Sequence, residues 1–207
     1  MGILLLNVDY LLIGRYLGAA SLGVYTLAFR VPELLIKQFS DILGKVIFPA
    51  YAKMRSTGKD LSRGFLLTLQ YVNLITVPLG LGLALVASPF VLTFFTDKWV
   101  EAIPVMHAIS LYTLLRAMVF NTGDVYKAEG RPEVMFRIKG WQAVISLPVL
   151  FWAAAIAQSI EAVAWAQVGL AFGAGIVKLA VAGRMLTVSG REIWNGLRPS
   201  LLGGAVM

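Results

Sequence analysis

Long apolar runs separated by short polar clusters fill this chain, and the run lengths predict helices that cross a membrane. Residues 1–13 are apolar apart from Asn7 and Asp9. As a helix they reach only about 20 Å, short of a hydrocarbon core of about 30 Å, so they read as part of a first span. A Gly-rich turn, GRYLGAASLG, leads into residues 21–54, which read as one long helix bounded near its far end by Pro49. Residues 64–87 form the next run, with Tyr71, Asn73 and Pro78 inside it and a kink expected at Pro78. Ser88 and Pro89 close that run, and PFVLTFFTDKW reads as an interfacial segment with Phe90, Phe94, Phe95 and Trp99 at headgroup depth. Further runs cover 102–120, 134–157 (Pro148 inside) and 160–182, the first two separated by the mixed-charge loop NTGDVYKAEGRPE. The last run contains Gly169-Leu-Ala-Phe-Gly173, a small-xxx-small pattern for close helix contact. A basic loop follows, and Pro199 opens a final short segment. The expectation is an all-α integral membrane bundle of five complete spans with a partial helix at each end. Residues 1–182 form the bundle, and 183–207 a cytoplasmic loop leading into a further helix.

The 21–54 helix carries the least expected polarity. Arg30, Glu33, Lys37, Asp41 and Lys45 recur at spacings of three or four, with alternating sign. At 100° per residue they fall within an arc of about 120°. Leu35, Phe39, Ile42, Leu43 and Val46 fall on the other side, and Leu34 lies inside the arc. Facing lipid, each charge would cost roughly 2.5–3.5 kcal/mol, so the arc must face protein or water. It reads either as a polar track along a substrate pathway or as a ladder of ion pairs at i,i+3 and i,i+4.

Composition agrees with a membrane protein: 58% of residues are hydrophobic, only 14% are charged, and mean hydropathy is +0.78. The net charge of +7 reports orientation rather than nucleic-acid binding. Loops after the second, fourth and sixth helices hold eleven Lys and Arg: Lys53, Arg55, Lys59, Arg63, Lys127, Arg131, Arg137, Lys139, Arg184, Arg191 and Arg198. The alternate loops hold Arg15 and Lys98. The eleven, and the start of the chain, are therefore expected on the cytoplasmic side.

Catalytic chemistry finds little support. There is no cysteine and one histidine, His107, which leaves no nucleophile–base pair or zinc cluster. The Gly-Lys pairs at 44–45 and 58–59 lack the upstream glycine of a phosphate-binding loop, and no Asp-x-Asp occurs. Glu129 and Glu133 lie beside Lys127 and Arg131 and read as solvated ion pairs. Arg116 and Lys178, near helix ends, read as snorkelling residues. The expectation is a non-enzyme without cofactor or metal. Kinked helices, small contact residues and inward charges suit a transporter of an anionic head group: Arg30, Lys37 and Lys45 attract phosphate, while Glu33 and Asp41 keep the site from becoming a trap.

The block NVDYLLIGRYLGAASLGVYTLAFRVPELL, with Asn7, Asp9, Gly14, Gly18, Leu22, Gly23 and Tyr25, is the most specific sequence feature. With FPAYAKM (Pro49, Lys53) and KAEGRPE (Gly130, Arg131, Pro132), it resembles the second half of bacterial polysaccharide flippases. These are the lipopolysaccharide and exopolysaccharide exporters of the multidrug/oligosaccharidyl-lipid/polysaccharide superfamily. The resemblance implies an inner-membrane protein of two related six-helix bundles, which moves an undecaprenyl-pyrophosphate-linked sugar repeat to the periplasmic leaflet by alternating access. It implies lipid-linked oligosaccharide and membrane lipids as partners, no nucleic acid, and a facing N-terminal bundle of the same protein. It makes the partial first helix the seventh of the whole and the charged helix the eighth, and the chain a C-terminal-half fragment truncated at both ends. Asn7 and Asp9 then join Arg30, Glu33, Lys37, Asp41 and Lys45 as expected pathway residues. The alternatives are a cation-coupled drug or small-molecule exporter of the same superfamily, a membrane-embedded glycan polymerase or ligase, and an inactive fragment.

Overall fold

The computed structural model describes residues 7–95 and 97–205, the side chains of Lys37 and Ala205 excepted. The expected helix start in residues 1–6, Thr96 of the interfacial segment and the Lys37 side chain therefore lie outside the described residues. Within them the fold is all α. The helices are α1 (Val8–Tyr16), α2 (Gly18–Ser56), α3 (Leu61–Phe94), α4 (Ala102–Met118), α5 (Thr122–Ala128), α6 (Pro132–Phe151), α7 (Ile160–Met185) and α8 (Gly190–Ala205). A 3-10 turn, Asp97–Trp99, links α3 to α4, and a π turn, Trp152–Ile156, ends α6. Five segments are long and apolar enough to cross a membrane: Gly18–Ser56, Leu61–Phe94, Ala102–Ala128, Pro132–Ile156 and Ile160–Met185.

Proline boundaries are where sequence and structure part. Pro49 does not end α2, and Pro32 also lies inside it. α3 runs through Pro78 and Pro89, absorbing much of the expected interfacial segment. Proline removes one donor from a helix, and neighbouring helices in an apolar solvent keep the rest of the ladder together. Pro148 acts differently: four residues on, the ladder widens, and the Ala157 amide donates to the Trp152 carbonyl at 3.0 Å. The Leu17–Gly18 link is tighter than expected, and Gly18 takes the left-handed φ of +86° that suits glycine.

Two expected loops also contain helices. NTGDVYKAEGRPE holds α5, and the basic loop holds the start of α8, which runs through Pro199 rather than beginning there. Ser189 and Glu192 start α8 reciprocally. The Ser189 amide and hydroxyl each donate to the Glu192 carboxylate at 2.8 Å, and the Glu192 amide donates to Ser189 Oγ at 3.3 Å. Ile193, Leu197, Ser200 and Gly204 then form one buried stripe laid against α3.

α4 is the hub, packing on α2, α3 and α7. Its small residues Ala102, Ala108, Ser110 and Ala117 are buried and let its neighbours come close. The tightest approach is Gly80 of α3, where an added Cβ would sit 2.7 Å from Leu114 Cβ. Gly169 and Gly173, by contrast, are exposed and meet nothing within 4 Å, so the small-xxx-small pattern makes no close contact within the described bundle. Two apolar cores stack along the bundle: one around Ile13, Tyr25, Val91, Ile109 and Val163, the other around Ile47, Phe65, Tyr126, Ala182 and Ile193.

The candidate substrate pathway and the buried Asp9

α2 presents three faces. Tyr25, Phe29, Ile36, Ile47 and Tyr51 are buried against the bundle. Leu35, Ile42 and Val46 are exposed on one side of that seam, and the charged arc lies on the other. At 100° per residue the three faces are centred roughly 100–140° apart. The bundle thus meets α2 between charges and lipid-compatible residues, where a simple two-faced pattern would put it opposite the charges. A membrane protein has two surroundings outside its core, so one apolar face packs while another remains free for lipid.

Arg30, Asp41 and Lys45 are exposed and Glu33 is half-buried. These four make no ion pair with one another within 4 Å; the ion pairs among the described residues are Arg55–Glu129 and Lys127–Asp124. The two rungs of the ladder that do not involve Lys37, Arg30–Glu33 and Asp41–Lys45, are therefore open. Glu129 pairs across to Arg55 rather than with the expected Lys127 or Arg131.

The outer end of the arc meets an aromatic row. Tyr10 lies edge-on to Tyr25 (5.4 Å between centroids) and Phe29 (5.8 Å), and Phe29 is 5.8 Å from Tyr112. The Arg116 guanidinium stands 5.3 Å over the Tyr112 ring, with Nη1 donating to the phenol oxygen at 3.2 Å. Glu33 is within electrostatic reach of both Tyr10 and Tyr112, and Arg30 of Tyr10. Arg116 and Lys139 are in turn within reach of half-buried Lys178. α1, α2 and α4 thus bring polar or charged groups to this region, and Arg116 adds a cation to the set that the sequence pattern of α2 picks out. The signal was present as charges inside apolar runs, which snorkelling explains equally well one residue at a time.

Asn7 stands exposed at the start of α1, and Asp9 is buried at 3% exposure. Asp9 Oδ2 accepts from the Tyr25 hydroxyl at 2.8 Å and from Gln167 Nε2 at 3.1 Å. One carboxylate so ties α1 to α2 and to α7. Asp9 therefore sits behind the track as a buried hub rather than on its surface, while Asn7 is on the outside. Both reside on the same short helix. No group of three or more His, Cys, Asp or Glu side chains suited to a metal occurs among the described residues.

The profile of a family described as "Polysaccharide biosynthesis protein" matches residues 1–104, half of the chain. The chain is 31% identical over 161 residues to the teichuronic acid biosynthesis protein TuaB of Bacillus subtilis, covering 77% of this chain and 33% of that one. It is 31% identical to the lipopolysaccharide biosynthesis protein WzxC of Escherichia coli over 144 residues, 70% of this chain and 29% of WzxC. It is 26% identical to the succinoglycan biosynthesis transport protein ExoT of Rhizobium meliloti, over 74% of this chain and 31% of ExoT. The matched region is about a third of the length of these relatives. No solved structure matches the chain. With five helices able to span a bilayer and a profile match across α1, α2 and α3, this is a multi-pass membrane protein, and the chain belongs to the polysaccharide biosynthesis protein family.

Proposed function

We propose that this chain is part of an exporter that moves a lipid-linked oligosaccharide, an undecaprenyl-pyrophosphate-linked sugar repeat, across the bacterial inner membrane by alternating access. The observation that carries the proposal is the uncovered charged face of α2 on a helix of membrane-spanning length. A charged face in that position suits a hydrated path for a sugar–diphosphate head, with the exposed apolar face of the same helix left for lipid. Arg30, Lys37 and Lys45 draw the diphosphate along the path, Glu33 and Asp41 limit its retention, and Asn7 and Asp9 belong to the helix that flanks the outer end. Arg116, beside Tyr112, adds positive charge to the same region. The names of the relatives, which include a succinoglycan transport protein, support export over catalysis. The eleven Lys and Arg of the alternate loops support a cytoplasmic position for those loops and for the start of the chain. Residues 1–182 act as the bundle that bears the path, and a facing bundle of the same protein closes it.

The test replaces Arg30 and Lys37 together with Ala in the intact protein and measures surface polymer and protein abundance. Polymer should be lost at unchanged abundance. Full export by the double variant would overturn the pathway role, and drug resistance without a polysaccharide phenotype would reassign the cargo.

A further inference from the structure

A second basic feature lies apart from the track, at the end of the bundle that is rich in Lys and Arg. The last turn of α2, the α5–α6 link and the last turn of α7 border an open concavity of about 520 Å³. It is lined by Arg55, Glu129, Arg131, Val181, Arg184 and Met185. Three guanidinium groups face one carboxylate, a formal excess of +2. Glu129 is already engaged by Arg55 (Nη2 to Oε2, 3.3 Å), and the nearby Asp124 by Lys127 at 3.1 Å. Arg131 and Arg184 have no carboxylate within 4 Å among the described residues.

Arg55 and Arg184 each sit in the last turn of a helix, where a cation offsets exposed carbonyls. That ordinary role does not extend to Arg131. It precedes Pro132 at the start of α6, the helix end where partial positive charge already gathers and a cation is disfavoured. In the concavity it joins two further arginines and the single carboxylate of Glu129, which leaves a positive excess that attracts a further anion. Planar guanidinium forks match phosphate oxygens in pairs. Val181 and Met185 supply an apolar wall where α7 leaves the span, the surroundings of a phosphate that carries an acyl or prenyl chain.

We propose that this pocket binds a phosphate or diphosphate group at the membrane surface, held by Arg131 and Arg184 with Arg55 as the third donor. The site stands on its own geometry and holds whether or not the α2 track carries a sugar–diphosphate.

The test uses the intact protein in neutral detergent with three probes: dihexanoyl phosphatidylglycerol, inorganic pyrophosphate and, as control, dihexanoyl phosphatidylcholine. Binding is read by calorimetry and by thermal shift. Phosphatidylglycerol alone binding assigns a lipid headgroup that needs its chains. Pyrophosphate binding as well shows that phosphate chemistry suffices. In either case the Arg131→Gln/Arg184→Gln variant should bind about 25-fold more weakly. Glu129→Gln should bind severalfold more tightly, a gain that misfolding cannot produce. The proposal is overturned if phosphatidylcholine binds as well as the anionic probes, if no probe binds, or if the double variant binds like the parent.

Discussion

The Asp9 hub makes the sharpest quantitative prediction. Tyr25→Phe removes one hydroxyl and nothing else from a carboxylate that is 3% exposed. Hydrogen bonds between membrane helices average about 0.6 kcal/mol and reach about 1.7. At 2.8 Å this bond belongs in the upper part of that range, so the loss should be about 1–1.7 kcal/mol. Gln167→Met removes the longer bond, 3.1 Å, and should cost about 1 kcal/mol by the same reasoning. Both costs depend on Asp9. In an Asp9→Leu background the Tyr25 hydroxyl has lost its acceptor, so Tyr25→Phe should then cost close to nothing. The coupling in the double-mutant cycle should be about 1–1.7 kcal/mol, well above the scatter of about 0.3–0.5 kcal/mol for independent sites. Equilibrium unfolding in mixed micelles with rising dodecyl sulfate, followed through the five tryptophans, measures each corner. An equal cost for Tyr25→Phe with and without Asp9 would refute the hub.

Further predictions test the packing, the α8 start and the orientation. Gly80→Ala places a methyl 2.7 Å from Leu114 Cβ and should destabilise the fold by about 1–3 kcal/mol in the same unfolding assay, and Leu114→Ala, which keeps that Cβ, should not relieve it. Gly173→Ala, with nothing within 4 Å, should be neutral or mildly stabilising by helix propensity. The Ser189 amide and hydroxyl hold the Glu192 carboxyl below its ordinary value of 4.5. A depressed folded value means that its contribution is present above the unfolded value and is lost as pH falls through the folded one. The protection factors of the amides at the start of α8, which are corrected for the slowing of intrinsic exchange in acid, should therefore fall as pH drops below that ordinary value, and Glu192→Ala should remove that pH dependence. Single cysteines at Arg191 and Lys98 should label from opposite sides of the membrane, Arg191 from the cytoplasm; labelling of both from one side would overturn the topology.

The spans were legible because apolar run length is a direct reading of bilayer thickness. Their ends were not, because Pro49, Pro89 and Pro199 look like helix boundaries to a rule drawn from water-exposed helices. The start of α8 was legible in principle. Ser189 and Glu192 stand three apart, the spacing of a reciprocal cap, but a count of loop charges passes over them. For the site, the periodicity of α2 marked the arc, and Asp9 stood out as an acid in an apolar run. What Asp9 binds was not legible. Tyr25 and Gln167 lie 16 and 158 residues away, and neither is unusual in its own segment. The basic pocket was hidden for the same reason: Arg55, Arg131 and Arg184 count as three loop cations until the helix ends converge.

The exposure pattern of α2 also constrains what lies around it. Arg30, Asp41 and Lys45 remain exposed after every described helix has packed, and at roughly 2.5–3.5 kcal/mol each near the bilayer centre they would lose on the order of 8–10 kcal/mol against lipid. That is as large as the whole stability of many folded domains, of order 5–15 kcal/mol. Arg30, Asp41 and Lys45 make no ion pair with one another among the described residues that would offset it. The residues Leu35, Ile42 and Val46 carry no such penalty, and they sit on the opposite flank of the same seam. The two flanks therefore belong in different surroundings, lipid on one side and water or polar protein on the other. A helix so divided is what the proposed export pathway needs of its wall, and burial of the same flank against a polar protein surface is the arrangement that the Arg30/Lys37 double variant tests it against.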